Sequence, residues 1–89
     1  MKPRDYVRLI EKAIKYPVVA LASESDMRLQ REGEKFLLIV KEGSYHLILD
    51  PKDNTFKCSH CGYEGSVIDL AKFIYDISFE DAVEILNEK

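Results

Sequence analysis

The apolar residues of this chain change their spacing twice, and that change sets the fold class. Pro3 opens a segment in which Tyr6, Leu9, Ile10, Ala13 and Ile14 recur at helical intervals. Tyr16-Pro17 ends it, because a residue before proline is pushed out of the α region. VVALASES at 18–25 reads as a further short helix. From Met27 the period shortens towards two. Met27 and Leu29 alternate with Arg28 and Gln30, Phe36 to Val40 is a continuous apolar strand, and Tyr45 to Leu49 is a third. Glu32-Gly33-Glu34, Lys41-Glu42-Gly43-Ser44 and Asp50-Pro51-Lys52-Asp53-Asn54 are the turns between them. Thr55-Phe56-Lys57 leads as a fourth strand into Cys58. After Gly62 and Gly65 the helical period returns. Ser66 with Asp69, and Ser78 with Asp81, carry the S-x-x-D signature of a helix start. The expectation is an α+β domain: an N-terminal helix over 3–16, a four-stranded antiparallel sheet over 27–58, and two C-terminal helices over 66–87.

Size and charge narrow the function class. With 89 residues, the whole of 1–89 reads as one domain. The longest apolar runs, such as FLLIV at 36–40, are far short of the ~20 residues that span a bilayer. MKPRDYVRLIEK is amphipathic and has no signal-sequence core, so a soluble, cytoplasmic module is expected, with no membrane partner. No acidic cluster with metal-catalysis spacing and no nucleophile–base pair stands out, so the module is expected to bind and not to catalyse. The net charge of −3 is not that of a bulk nucleic-acid binder. It is unevenly spread: residues 1–17 hold five bases and two acids, 18–57 six and seven, 58–89 two and seven. A basic face is compatible with that distribution.

Cys58 and Cys61, in KCSHCG, are the two cysteines. Cys-x-x-Cys-Gly on a strand and turn is the shape of a zinc knuckle, in which two thiolates share an ion and the glycine permits the tight backbone. A structural zinc takes four ligands, so the pair is half a site. His46 on the third strand and His60 inside the knuckle are the imidazoles that could add to it. His60, between the cysteines, is expected to point away from their shared metal, and His46 suits a surface strand position equally well. Redox chemistry fits poorly. Gly62-Tyr63-Glu64-Gly65 separates Cys61 from the helix start that would lower a thiol pKa, and Glu64 would raise it.

Residues 55–86, TFKCSHCGYEGSVIDLAKFIYDISFEDAVEIL, resemble the N-terminal zinc-binding (zinc-ribbon) domain of bacterial-type DNA primases. The likeness is most specific at Cys58 to Gly62, Gly65 to Leu70 and Ser78 to Ala82, covers roughly residues 27–87, and reaches more loosely to the N-terminal helix. It implies a zinc-ribbon-like sheet and a role in DNA replication, as an accessory to a separate primase or polymerase. It also implies contact with single-stranded DNA template through the sheet face. Arg28, Arg31, Lys35, Lys41 and Lys57 are then the candidates for phosphate contacts, with Tyr45, His46, Phe56 or Tyr63 for stacking, Phe56 suiting the core as well. The resemblance implies Zn2+ on Cys58 and Cys61; His46 is a substitute third ligand on imidazole chemistry alone, with His60 or water as the fourth. The chain departs from the family where its second ligand pair, Cys-x-x-His, is due: that region is Leu37 to Val40 or the turn just after it, and no Cys-x-x-His stands there. A zinc-bound and a metal-free knuckle both remain open. So does a protein-interaction domain that kept the fold and lost zinc and DNA.

Overall fold

The computed structural model describes residues 3–40, 45–60 and 62–89. Lys41 and Cys61, named above as candidate site residues, lie outside the described residues. The elements run α1 (Pro3–Ala13), α2 (Val18–Ser23), β1 (Arg28–Glu32), β2 (Lys35–Val40), β3 (Tyr45–Asp50), β4 (Thr55–Cys58), β5 (Glu64–Ser66), α3 (Val67–Tyr75) and α4 (Phe79–Glu88). The α+β class and the antiparallel meander are as the periodicity implies.

Two details differ from expectation. The sheet is five-stranded, in the order β1-β2-β3-β4-β5, and not four-stranded. The added strand pairs Glu64 with Lys57, Gly65 with Phe56 and Ser66 with Thr55. It is three residues long, holds one glycine and follows another, so its residues carry turn signals. α1 stops at Ala13, not at Tyr16. Beyond it, Lys15 and Tyr16 donate to the carbonyls of Lys12 and Ala13, at 3.3 and 3.1 Å. The last turn therefore tightens to i→i−3 bonding ahead of Pro17. Ile14 consequently leaves the apolar stripe and is 44% exposed.

Strand parity divides the sheet into two unlike faces. The register aligns Leu29, Leu38, Leu47 and Cys58 in one row across four strands. Val40, Leu49 and Phe56 share that face, and all but Leu29 of these residues are buried. Leu21 and Ala22 of α2, Val67, Ile68, Leu70 and Ala71 of α3, and Ala82, Val83 and Leu86 of α4 complete the core against it. On the opposite face Leu37, Ile39 and Ile48 are only partly buried. The helices thus cover one side of the sheet and leave the other open.

Both C-terminal helices start where their caps are. Ser66 accepts from the Ile68 amide at 3.2 Å, and Asp69 returns to the Ser66 amide at 3.0 Å, which closes a capping box. A Cβ on Gly65 would lie 2.8 Å from Asp69 Cβ and Oδ2, so the box requires glycine there. Ser78 caps α4 through the Asp81 amide at 3.2 Å. At the other end of the molecule, Asn87 Nδ2 donates to the Leu9 carbonyl at 3.0 Å, and Tyr6 meets Phe79 edge-on at 6.4 Å, tying α4 to α1.

Candidate nucleic-acid interface and cysteine knuckle

The knuckle is built on backbone hydrogen bonds. The Cys58 amide donates to the Tyr63 carbonyl at 2.7 Å, and the Gly62 amide donates to the Cys58 carbonyl at 2.9 Å. Gly62 has φ +78, the left-handed backbone that its place after the cysteines demands. Ser59 fastens the base of the loop to β3: its amide and its hydroxyl both donate to the His46 carbonyl, at 3.1 and 2.7 Å.

Cys58 faces the helix side of the sheet and is buried. It lines an apolar cavity of about 300 Å³ together with Leu47, Phe56, His60, Tyr63, Asp69 and Phe73. Tyr63 packs on Phe56 with ring centroids 6.0 Å apart and stands 54% exposed at the mouth. The Asp69 carboxylate beside its hydroxyl raises the Tyr63 pKa, and desolvation and a hydrogen bond to the same carboxylate add to this. Asp69 thereby joins the helix cap to the cavity rim.

His46 is placed elsewhere. Leu47 is the residue opposite Cys58, so its neighbour His46 belongs to the other face of the sheet. The strand register therefore does not bring His46 and Cys58 together. Leu37 to Val40, one of the two stretches where the resemblance puts the second ligand pair, carry hydrocarbon side chains, and the turn after them lies outside the described residues. Leu37 sits on the open face and Val40 is 2% exposed in the core. Among the described residues no group of three or more His, Cys, Asp and Glu side chains could hold a metal ion. The described donor set does not fit a four-ligand zinc site.

The candidate phosphate contacts divide between the two faces. Arg28, Lys35 and Lys57 lie on the open face, in register positions around Leu37, Ile39 and Ile48. Arg31 falls on the other face near the hairpin, where its Nε donates to the Gly33 carbonyl at 3.1 Å. Tyr45 begins β3, in register with Val40. Tyr63 is at the cavity, with β4 between it and the open face. Acids accompany two of the three cations of the open face. Lys35 pairs in register with Glu32 and shares a surface depression with Asp50, and Lys57 Nζ is 3.8 Å from Glu64 Oε1 in an exposed ion pair. Arg28 is opposite Ile39. Lys35, Ile48, Asp50, Thr55, Lys57 and Glu64 outline a shallow depression of about 330 Å³.

No family model matches the sequence, and no curated protein sequence matches it. Among solved structures the chain is similar to the Aquifex aeolicus primase, in a crystal structure of its zinc-binding and RNA polymerase domains. The TM-score is 0.74 at 23% identity, over 90% of this chain and 20% of that one. The fold is primase-like. The chain spans about a fifth of the length of that primase chain.

Two residues of the candidate site were not legible in the sequence. Phe73, 39% exposed on α3, completes the cavity mouth. Its signal was its position off the Val67, Ile68, Leu70, Ala71, Ile74 stripe, which leaves an aromatic ring outside the core. Leu47 forms part of the cavity wall because of a register that no local pattern specifies.

No helix among the described residues is long and apolar enough to cross a membrane.

Proposed function

We propose that this chain is a non-catalytic nucleic-acid-binding module with a role in replication, and that it contacts single-stranded DNA through the open face of its sheet. The observation that carries this reading is that open face on a primase-like fold, with Arg28, Lys35 and Lys57 spread over it. Chemically such a surface suits a phosphate backbone, because three cations on separate strands can each meet a different phosphate. The cavity aromatics Tyr63 and Phe73 lie on the far side of β4, so among the described residues the ring on this face is the half-buried His46 imidazole, a small stacking surface beside the cations. Binding is therefore weak, sequence-tolerant and strongly salt-dependent. A separate polymerase or primase supplies the chemistry in this reading, and the module supplies position.

The knuckle in this proposal keeps its shape through the Cys58–Tyr63 and Cys58–Gly62 backbone bonds and the apolar packing of Val40, Leu47 and Phe56. A complete zinc site is not needed to hold it.

Amide chemical-shift mapping with a short single-stranded oligonucleotide tests the reading. Shifts concentrated at alternate residues of β2, β3 and β4, on the Lys35, Ile48 and Lys57 side, support it. Shifts confined to α1, or none at low salt, contradict it.

One observation favours a second reading. The centre of the open face is aliphatic, formed by Leu37, Ile39 and Ile48, and acids sit beside Lys35 and Lys57. Such a surface suits a protein partner in the replication machinery. In that reading the domain kept the primase-like fold and gave up DNA.

A further inference from the structure

β1 is an edge strand with one side open. It pairs with β2 alone in the sheet, and every residue of it except Leu29 is exposed. The hairpin to β2 has a two-residue loop, Gly33-Glu34, with Gly33 at φ +64 in the first central position, as a type II′ turn requires. The pair that closes such a loop, Glu32 with Lys35, exchanges both backbone hydrogen bonds. Alternation along an antiparallel ladder then turns the amides and carbonyls of Arg28 and Gln30 towards β2 as well. Those of Leu29 and Arg31 point outward, away from β2.

We infer that β1 pairs antiparallel with β1 of a second copy of this chain, about a two-fold axis through Gln30. In that register Leu29 of each copy lies opposite Arg31 of the other, so the outward-pointing groups of both strands meet and exchange both hydrogen bonds. Arg28 lies opposite Glu32 on the open face, once on each side of the axis. Both pairs are of opposite charge, and both fall at the non-hydrogen-bonded sites, where facing side chains come closest. The aliphatic stem of Arg31 covers Leu29 on the other face.

The neighbouring registers that also satisfy the outward backbone groups are disfavoured by charge. Centring on Arg31 sets it against its own copy. Centring on Leu29 sets Asp26 against Glu32. A parallel arrangement in register puts Arg28 against Arg28. Charged edge strands commonly prevent pairing. This edge carries its two signs in an order that repels those arrangements and is complementary in one. The contact is short, so the dimer is weak and salt-sensitive.

Sedimentation equilibrium without nucleic acid tests the inference, over roughly 10 µM to 1 mM protein, the range that a small interface requires. Wild-type mass is expected to rise towards the dimer with concentration. R28E alone and E32R alone should each weaken association by ~10-fold or more, since each sets like charges opposite one another twice. An equimolar mixture of the two variants should restore it, because the substituted residues 28 and 32 then face each other with opposite charge on one side of the axis, and the native Glu32 and Arg28 do so on the other. Recovery in the mixture also shows that both variants are folded. A wild-type chain that stays monomeric throughout overturns the inference. So does a dimer indifferent to both substitutions, or a mixture no tighter than its components. The reading as a DNA-binding module stands or falls separately, because no nucleic acid enters this experiment.

Discussion

Asn54 Oδ1 accepts a 2.7 Å hydrogen bond from the Val18 amide, 36 residues earlier in the chain. This one contact caps the first turn of α2 with a side chain from the β3–β4 turn. Pro17, at the N-cap position, has no side-chain cap of its own to offer. Asn54 Nδ2 donates in addition to the carbonyls of Ile14 and Tyr16, at 3.0 and 2.9 Å, so the end of α1 is held by the same side chain. Its backbone sits at φ 58, which asparagine tolerates better than most residues.

Asn54→Ala should therefore cost about 2–3 kcal/mol, from the lost cap and two bonds together with the unfavourable φ. Asn54→Asp keeps the acceptor for Val18 and loses both donors, and should fall between the two. Urea denaturation monitored by circular dichroism orders the three proteins. Equal stability of Asn54→Ala and wild type would show that the turn does not anchor the N-terminal segment.

Gly65→Ala should destabilise by about 1–3 kcal/mol, since the new methyl meets Asp69 at 2.8 Å and must displace the capping carboxylate. Ser66→Ala removes half of the same box and should cost about 1 kcal/mol. The two costs should not add when combined, because both act on one cap. A double-mutant cycle on the denaturation midpoints reads this directly.

Much of the fold was legible in local residues. Ser66 and Ser78 marked both C-terminal helix starts, and Pro3 and Pro17 bracketed the N-terminal helix, because caps and prolines act within a few residues of where they stand. The antiparallel meander followed from alternation and turn residues. β5 was missed, since Glu64-Gly65-Ser66 becomes a strand only when β4 lies alongside it. Asn54 read as a turn residue and nothing more. Its partners are in another element, and sequence spacing carries no trace of them. The candidate site was less legible for the same reason. Placing His46 on the face opposite Cys58 needs the register of β3 with β4, which depends on how the whole sheet is assembled.

A clasp between Glu24 and Lys89 responds to pH. Glu24 accepts hydrogen bonds from Lys89 Nζ and from the Tyr16 hydroxyl. The bond from Lys89, followed by that from Tyr16, holds the Glu24 carboxyl below the usual carboxylate range. The bond to Glu24 raises Lys89. A lowered carboxylate pKa means that the contribution of Glu24 is present above its unfolded value, about 4.3, and is lost as pH falls through the folded one. A raised lysine pKa means that the contribution of Lys89 is complete below about 10.4 and is lost as pH rises through the folded value. Thermal melts of wild type and Glu24→Gln should differ most near neutral pH and converge in acid. A difference that persists at pH values below the carboxylate range would assign the effect to packing.

The knuckle should not depend on metal. A chelator is expected to leave the urea midpoint of the purified protein unchanged. Cys58→Ser should cost about 1–2 kcal/mol, as a buried polar substitution in an apolar wall does. Loss of folding on chelation would instead reveal a zinc that supplies folding energy, as structural zinc does where its ligand set is complete.

The most direct test of the account is fluorescence anisotropy of a labelled single-stranded oligonucleotide at roughly 50 and 200 mM salt, with wild type, Lys57→Ala and Lys12→Ala. Binding should weaken steeply with salt. Lys57→Ala should lower affinity by ~3–10-fold and reduce the salt slope by ~1, as the loss of one phosphate contact does, while Lys12→Ala on α1 should leave both unchanged. No binding at the lower salt, or equal losses from the two substitutions, would contradict a DNA contact at the open sheet face.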